Sequence, residues 1–299
     1  MNVVFKVNDE IKDKMIKYYA DKKKNKEIPY VVFQAVDNDT VITLYTSNKV
    51  MFQGVSADVD ASMWKEMMGI KDQPKEDLSK YHNCNSVGSD EVGTGDYFGP
   101  IVVTSTYVTK NDVKFLEELG VGDSKKISDE KILKMAPIIA KRIKYRSLIL
   151  NNKEYNEKYS KDVNMNKIKA IMHNKVLYSI MQEEKPDVDY IIVDEFAREK
   201  RYYDYIKEDP NKQMGITFMT KAEDKNLAVA CASIISRYIF LKEFDKMCDN
   251  LGIPLLKGAG SDVDKIGEEV VEKYGEEKLK DIAKLNFANT QRILKTIIF

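Results

Sequence analysis

Gly88-Ser89-Asp90-Glu91-Val92-Gly93-Thr94-Gly95-Asp96-Tyr97-Phe98-Gly99-Pro100 is the stretch from which the fold and the chemistry of this chain can be read. Residues 86–91 have the pattern of a buried strand, yet the strand ends in two acids, and an unpaired carboxylate in a core is very costly. Successive strand residues point to opposite faces, so Asp90 and Glu91 serve one site only if the strand breaks there. Gly93 and Gly95 permit such a break. Two further acids stand in comparable places. Asp194 closes the apolar run Ile191-Ile192-Val193, and Glu223 stands at the expected start of a helix rich in small residues (Ala228, Ala230, Ala232, Ser233). Carboxylates that converge without histidine or cysteine suit a hard cation, Mg²⁺ or Mn²⁺. Two such ions about 4 Å apart activate water and stabilise the leaving oxygen of a phosphodiester. Singly, each acid also reads as a helix cap or a surface residue, so spacing alone leaves both readings open. His82 and His173 are the only histidines, and neither is near an acidic cluster in sequence.

Outward from that stretch the pattern is α/β. Strands are predicted over residues 86–91, 98–108, 145–150 and 190–194. Helices are predicted over 128–141, with Ser128 as N-cap, over 165–184, after Glu223, and two or three times within 262–294. Small residues on the helix after Glu223 allow close packing on a sheet, and the whole suggests a layered α/β domain. Before it, residues 9–20 and 57–68 have helical spacing, and residues 30–36, 41–46 and 49–54 read as an antiparallel meander. Alternation puts Ile42, Leu44, Val50 and Phe52 on a core face. It puts Thr43, Tyr45, Lys49, Met51 and Gln53 on an open one. Residues 71–85, polar and containing Pro74, read as a linker. The domains are therefore predicted as 1–70, a linker 71–85, and 86–299.

Composition sets the outer limits. The chain has 299 residues, 43% hydrophobic and 32% charged, which excludes wholesale disorder. No apolar run approaches the roughly 18 residues of a membrane span, and no signal peptide is visible. Cys84, Cys231 and Cys248 are odd in number and lack metal spacing, which points to a reduced compartment. A monomeric cytoplasmic protein is expected. Net charge is zero (48 basic against 48 acidic residues), which argues against simple coating of nucleic acid. Residues 12–26 nevertheless hold seven lysines against two aspartates, a local excess of five positive charges that can contact phosphates or merely form a solvated helix face.

The residues quoted from Gly88 to Pro100 closely resemble the signature of bacterial ribonuclease HIII, a type 2 ribonuclease H. Gly122-Asp123-Ser124-Lys125-Lys126 resembles the family's DSKK loop, Asp194-Glu195-Phe196 its third acidic motif, and Lys221-Ala222-Glu223 its fourth. Asn286-Phe287-Ala288-Asn289-Thr290 is similar to the C-terminal motif, and residues 44–54 to a strand-turn-strand of the family's N-terminal extension. Asn48, Cys231 and Asn286 depart from the usual residues, and none of them is one of the four acids.

The resemblance implies a ribonuclease H fold with a mixed sheet and helices, preceded by a small α+β domain similar to the TATA-box-binding protein that holds substrate. It implies Asp90, Glu91, Asp194 and Glu223 as catalytic and metal-holding acids for two divalent ions, Mg²⁺ or Mn²⁺. It implies Gly93, Thr94, Gly95, Ser124, Lys125 and Lys126 as substrate contacts, with Tyr45, Lys49 and Gln53 on the open face of the first domain. The glycines let backbone approach a 2′-hydroxyl, the group that separates RNA from DNA. The expected activity is hydrolysis of the RNA strand of RNA–DNA hybrids, leaving 5′-phosphate and 3′-hydroxyl ends. The alternatives are incision at single ribonucleotides in DNA, as by ribonuclease HII, and hybrid binding without catalysis.

Overall fold

In a computed structural model, residues 2–24, 28–37, 40–54, 56–69, 79–122 and 127–297 are described. The chain divides into two compact units, Met1–Asp77 and Leu78–Phe299.

The first unit contains β1 (Asn2–Lys6), α1 (Asp9–Tyr18), β2 (Val31–Asp37), β3 (Thr40–Tyr45), β4 (Lys49–Gly54) and α2 (Ala57–Met67). Its antiparallel sheet runs β1-β4-β3-β2. Ile42, Leu44, Val50 and Phe52 are wholly buried, as alternation predicts, against Ile11 and Met15 of α1 and Ala57, Ala61 and Trp64 of α2. Trp64 Nε1 donates to Tyr19 Oη at 3.0 Å inside that core. Asn48 takes the left-handed conformation (φ 60°) in the β3–β4 turn, as expected of a residue replacing glycine there. Strand β1 is not evident from sequence. It is an edge strand of five residues with one face exposed, so only Val3 and Phe5 carry a burial signal.

The second unit begins earlier than the sequence suggests. Residues 70–78 are outside the described residues, but α3 (Ser79–His82) already packs into this unit. Tyr81 and Cys84 are buried, and Asn226 Nδ2 donates to Tyr81 O at 2.8 Å and Ser86 Oγ at 2.9 Å. Residues 79–85 are therefore part of the folded unit rather than of a linker.

After α3 come β5 (Ser86–Val92), β6 (Ile101–Val108), α4 (Val113–Leu119), α5 (Asp129–Arg142), β7 (Lys144–Leu150), α6 (Asn152–Lys158), α7 (Met165–Glu184), β8 (Tyr190–Asp194), α8 (Glu199–Tyr205), β9 (Ile216–Met219), α9 (Leu227–Leu251), α10 (Ser261–Tyr274), α11 (Leu279–Ile282) and α12 (Ala288–Ile297). The sheet runs β7-β6-β5-β8-β9, antiparallel across β7, β6 and β5 and parallel from β5 to β9. Ser128 caps α5 by accepting from Lys131 N at 3.3 Å.

Helices α7 and α9 sandwich β5. Val87 packs with Ala170, Leu177 and Ile180 of α7. Gly88, on the opposite face, meets the backbone of α9 so closely that a Cβ there would lie 2.5 Å from Val229 N. The small residues of α9 exist for that approach. The second half of α9 packs Phe240 and Phe244 against Tyr97, Phe98 and the C-terminal helices.

Candidate active site

Strand β5 does not break at Asp90-Glu91, contrary to the expectation from alternation. Asp90 and Glu91 remain paired with Thr104 and Val103 of β6, and pairing runs on to Val92 opposite Val102. The two acids reach one cleft because the strand's other edge opens instead. Parallel pairing with β8 stops at Ser89 opposite Val193, so Asp194 emerges level with Asp90 just beyond the last pair. Alternation then sends Asp90 toward α9, where Ser233 hydrogen-bonds it, and Glu91 toward α7. A cleft of about 480 Å³ wraps round the freed edge, lined by Asp90, Glu91, Gly93, Thr94, Gly95, Asp194, Glu223, Ser233 and Arg237.

Glu91 is held from behind. One carboxylate oxygen pairs with the Lys169 ammonium, and the other lies 2.9 Å from His173 Nε2. An ionised carboxylate only accepts, so Nε2 carries the proton. His173 is wholly buried, and its Nδ1 lies 2.7 Å from Ser89 Oγ. Phe196 covers the group, with the Lys169 ammonium 4.1 Å from its ring centroid. Burial by itself pushes the Glu91 carboxyl up, but the hydrogen bond and charge of His173 and the charge of Lys169 outweigh it and hold Glu91 well below the usual carboxylate range. Asp90 moves the other way. Burial, then repulsion by Glu91 and by Asp194, raise it far above an ordinary aspartate. Two neighbouring acids are thus driven apart by their surroundings, a mark of functional sites.

Asp194 Oδ1 accepts from Ala222 N at 3.0 Å, which fastens the short 3₁₀ turn Ala222–Asp224 carrying the buried Glu223. Glu223 therefore stands one turn before α9 rather than at its start. Asn226 is the α9 cap, accepting from Val229 N at 3.1 Å. Arg237, one turn past Ser233, brings a guanidinium to the cleft. Its Nε and Nη2 bind Asp129 Oδ1 at 2.9 and 2.5 Å, and its Nη1 binds Ile127 O at 2.9 Å.

The cleft therefore unites all four predicted acids with Gly93, Thr94 and Gly95. Ser124, Lys125 and Lys126 lie outside the described residues. Tyr45, Lys49 and Gln53 belong to the first unit, on the sheet face opposite its core. Lys6 of β1 pairs with Lys49 there and adds to its charge. The lysine cluster of residues 12–26 is partly spent internally: Lys14 pairs with Glu10, Lys22 with Asp37, and Lys12 donates to Asn48.

Sequence reasoning missed Lys169, His173 and Arg237. The usable signal was in α7, where Lys169 and His173 are four residues apart among buried Ile168, Ala170 and Met172. Polar groups at helical spacing within an apolar face call for a buried partner.

The donor set is all oxygen and strongly acidic, which fits a hard divalent cation. Among the described residues no three His, Cys, Asp or Glu side chains are gathered closely enough to hold an ion alone, since Glu91 leans to α7 and Asp194 to Ala222. A cation that keeps several of its waters, as Mg²⁺ does, suits such an arrangement.

The chain resembles known proteins along its whole length. The family model described as Ribonuclease HII matches residues 87–290, and one described as Domain of unknown function (DUF3378) matches residues 2–76. The Ribonuclease HIII of Lysinibacillus sphaericus is 38% identical over 308 residues, covering 99% of each chain. That of Bacillus cereus is 36% identical over 310 residues, again 99% of each. The crystal structure of Bst-RNase HIII in complex with Mn²⁺ superposes with a TM-score of 0.72 at 34% identity, covering 99% of both chains. Aquifex aeolicus RNase H3, at 24% identity and a TM-score of 0.56, shares the fold. With an acidic cleft at the end of a mixed sheet and likeness along the full length of named relatives, the chain belongs to the ribonuclease HIII family.

Proposed function

We propose that this chain is an endoribonuclease that hydrolyses the RNA strand of RNA–DNA hybrids with two divalent ions, Mg²⁺ or Mn²⁺, and acts as a monomer in the cytoplasm. The observation that carries this reading is the convergence of Asp90, Glu91, Asp194 and Glu223 with a glycine loop on one cleft. Bound divalent cations supply Lewis-acid activation of water and stabilise the leaving oxygen. The chain's own residues do the rest. The four carboxylates would hold the cations, in part through waters that the cations keep, and Lys169 with His173 keeps Glu91 ionised. Gly93, Thr94 and Gly95 offer backbone to the ribose. Ser124, Lys125 and Lys126 add phosphate contacts, as does the open sheet face with Tyr45, Lys49 and Gln53.

The deciding experiment compares a uniform RNA–DNA hybrid with a DNA duplex bearing one ribonucleotide, each with Mg²⁺ and Mn²⁺. Cleavage of the hybrid, with 5′-phosphate ends, is expected. Cutting only beside the single ribonucleotide would favour the ribonuclease HII-like alternative.

Two further outcomes follow from the charges. Removing residues 1–77 is expected to weaken hybrid binding and to flatten its salt dependence by about one unit of slope for each phosphate that the chain no longer touches. An unchanged slope in a binding titration would reduce that unit to a stabilising role. Asp90, raised above its ordinary 3.8, makes the folded state bind more protons than the unfolded one between that value and the raised one. Its contribution to stability therefore falls as pH rises through that window. A cation must displace the proton, so Mn²⁺ binding tightens with pH and releases protons. Calorimetric titration at pH 6 in two buffers of different ionisation enthalpy should give unequal heats. Equal heats would mean that Asp90 is already ionised.

A further inference from the structure

Lys284 is wholly buried, yet it forms no ion pair among the described residues. Its ammonium donates instead to two backbone carbonyls, Asp96 O at 2.8 Å and Gly99 O at 2.5 Å. Burial pulls the amine down to about 7, with the Asp96 charge offsetting only part of that cost. Buried charges are normally paired, so an ammonium placed under a loop needs a reason.

The loop supplies one. Residues 93–99 leave β5 along the cleft and fold back on themselves. Gly93 has φ +95°, and a Cβ there would lie 2.1 Å from Pro100 O. Gly99 has φ +85°, and a Cβ there would lie 2.9 Å from the Phe244 ring. Closing the chain so tightly turns Asp96 O and Gly99 O inward, where each must find a donor. Lys284 reaches both, and Asn152 Nδ2 reaches Gly99 O as well, at 3.0 Å. The remaining ties come from the same C-terminal region. Tyr97 N donates to Gly258 O at 2.8 Å, Gly99 N to Ile282 O at 3.1 Å, Lys284 N to Tyr97 O at 2.9 Å, and Gly258 N to Asp96 Oδ1 at 2.6 Å. Between these anchors, Thr94 and Gly95 border the carboxylate cleft.

We propose that Lys284 is a positioning residue: from inside the protein it holds the 93–99 loop in the shape that tells an RNA-containing strand from DNA. This rests on the reading of Gly93, Thr94 and Gly95 as the ribose contact. Being wholly buried, Lys284 does not touch the substrate, and it acts only through the loop.

The test uses the full chain with Lys284→Met, which keeps length and apolar bulk but donates nothing. Fluorescence anisotropy in EDTA gives Kd for a hybrid and for a DNA duplex of the same sequence. Hydrogen exchange reports the amides of residues 94–99. The expected result is a rise of about tenfold in hybrid Kd, a change of less than twofold for DNA, and faster exchange confined to the loop. Equal weakening on both duplexes, or loop exchange that is unchanged or accelerated everywhere alike, overturns the proposal. Wild-type chain that binds both duplexes equally overturns the hybrid reading and the discrimination claim together. Wild-type discrimination that survives intact in the variant overturns the role of Lys284 alone. If Lys284→Met does not fold, Asn152→Ala removes the other donor to Gly99 O without stranding a charge. It should shift the same ratio in the same direction by a smaller factor, and an unchanged ratio there overturns the proposal.

Discussion

Asp90→Asn is expected to reduce hybrid cleavage by at least about a thousand-fold while leaving the chain folded. The amide has the shape of the carboxylate, and its oxygen can still accept from Glu91 N, now 2.8 Å from Asp90 Oδ1. What is lost is the negative charge offered to a cation. Such charge stabilisation is worth several kcal/mol, and each 1.36 kcal/mol is tenfold in rate. The fold should gain. Asp90 is a buried acid pushed toward its protonated form by Glu91 and Asp194, so an uncharged replacement relieves repulsion above neutral pH. The thermal midpoint at pH 8 is accordingly expected to hold or rise. Loss of the circular dichroism signal would mark Asp90 as structural, and retained cleavage would sink its assignment to the reaction.

Lys169→Met carries the second large effect, and it falls on stability as well as rate. The Lys169–Glu91 pair is nearly closed off from water, at 11% and 13% side-chain exposure. Removing one member of a buried pair leaves the other uncompensated, typically at a cost of about 3–5 kcal/mol. His173 still binds Glu91, which puts the expectation at the lower end of that range. Glu91 is depressed in the folded state, so its contribution is complete above the ordinary glutamate value of 4.5 and is lost as pH falls toward the depressed one. Denaturant titrations should therefore show the largest deficit near pH 7 and a shrinking one below pH 4.5. Cleavage should fall about ten- to a hundred-fold, as when groups supporting metal ligands are removed. A variant as stable as wild type at pH 7, or equally active, would refute the role given to this pair.

Much of the architecture is legible in local pattern. The alternation of residues 41–53 places Ile42, Leu44, Val50 and Phe52 in the core, because strand period is a local property, but Thr43, expected on the open face, is only 2% exposed and accepts from Gln34 Nε2 at 3.1 Å. The small residues of α9 announce close packing, and Gly88 against Val229 is where it happens. Short elements with little buried surface escape such reading: β1 on an exposed edge, β9 with four residues, and α6 and α8 with seven each. Their stability comes from neighbours far along the chain.

For the cleft, the four acids and the glycine loop are named without any coordinates, but by the family resemblance of their motifs, since spacing alone leaves each acid open to a reading as a helix cap or surface residue. How two adjacent strand residues share one site was decided only in three dimensions. Local reasoning required a break in β5, whereas the structure keeps the strand and ends its neighbour β8 instead, which no residue of β5 encodes. The same holds for what stands behind the acids. His173 lies 82 residues from Glu91, and Lys284 lies 185 residues from Gly99. Packing brings these groups together because buried charge and buried carbonyls must each find a partner, and sequence does not record which distant side chain will supply it.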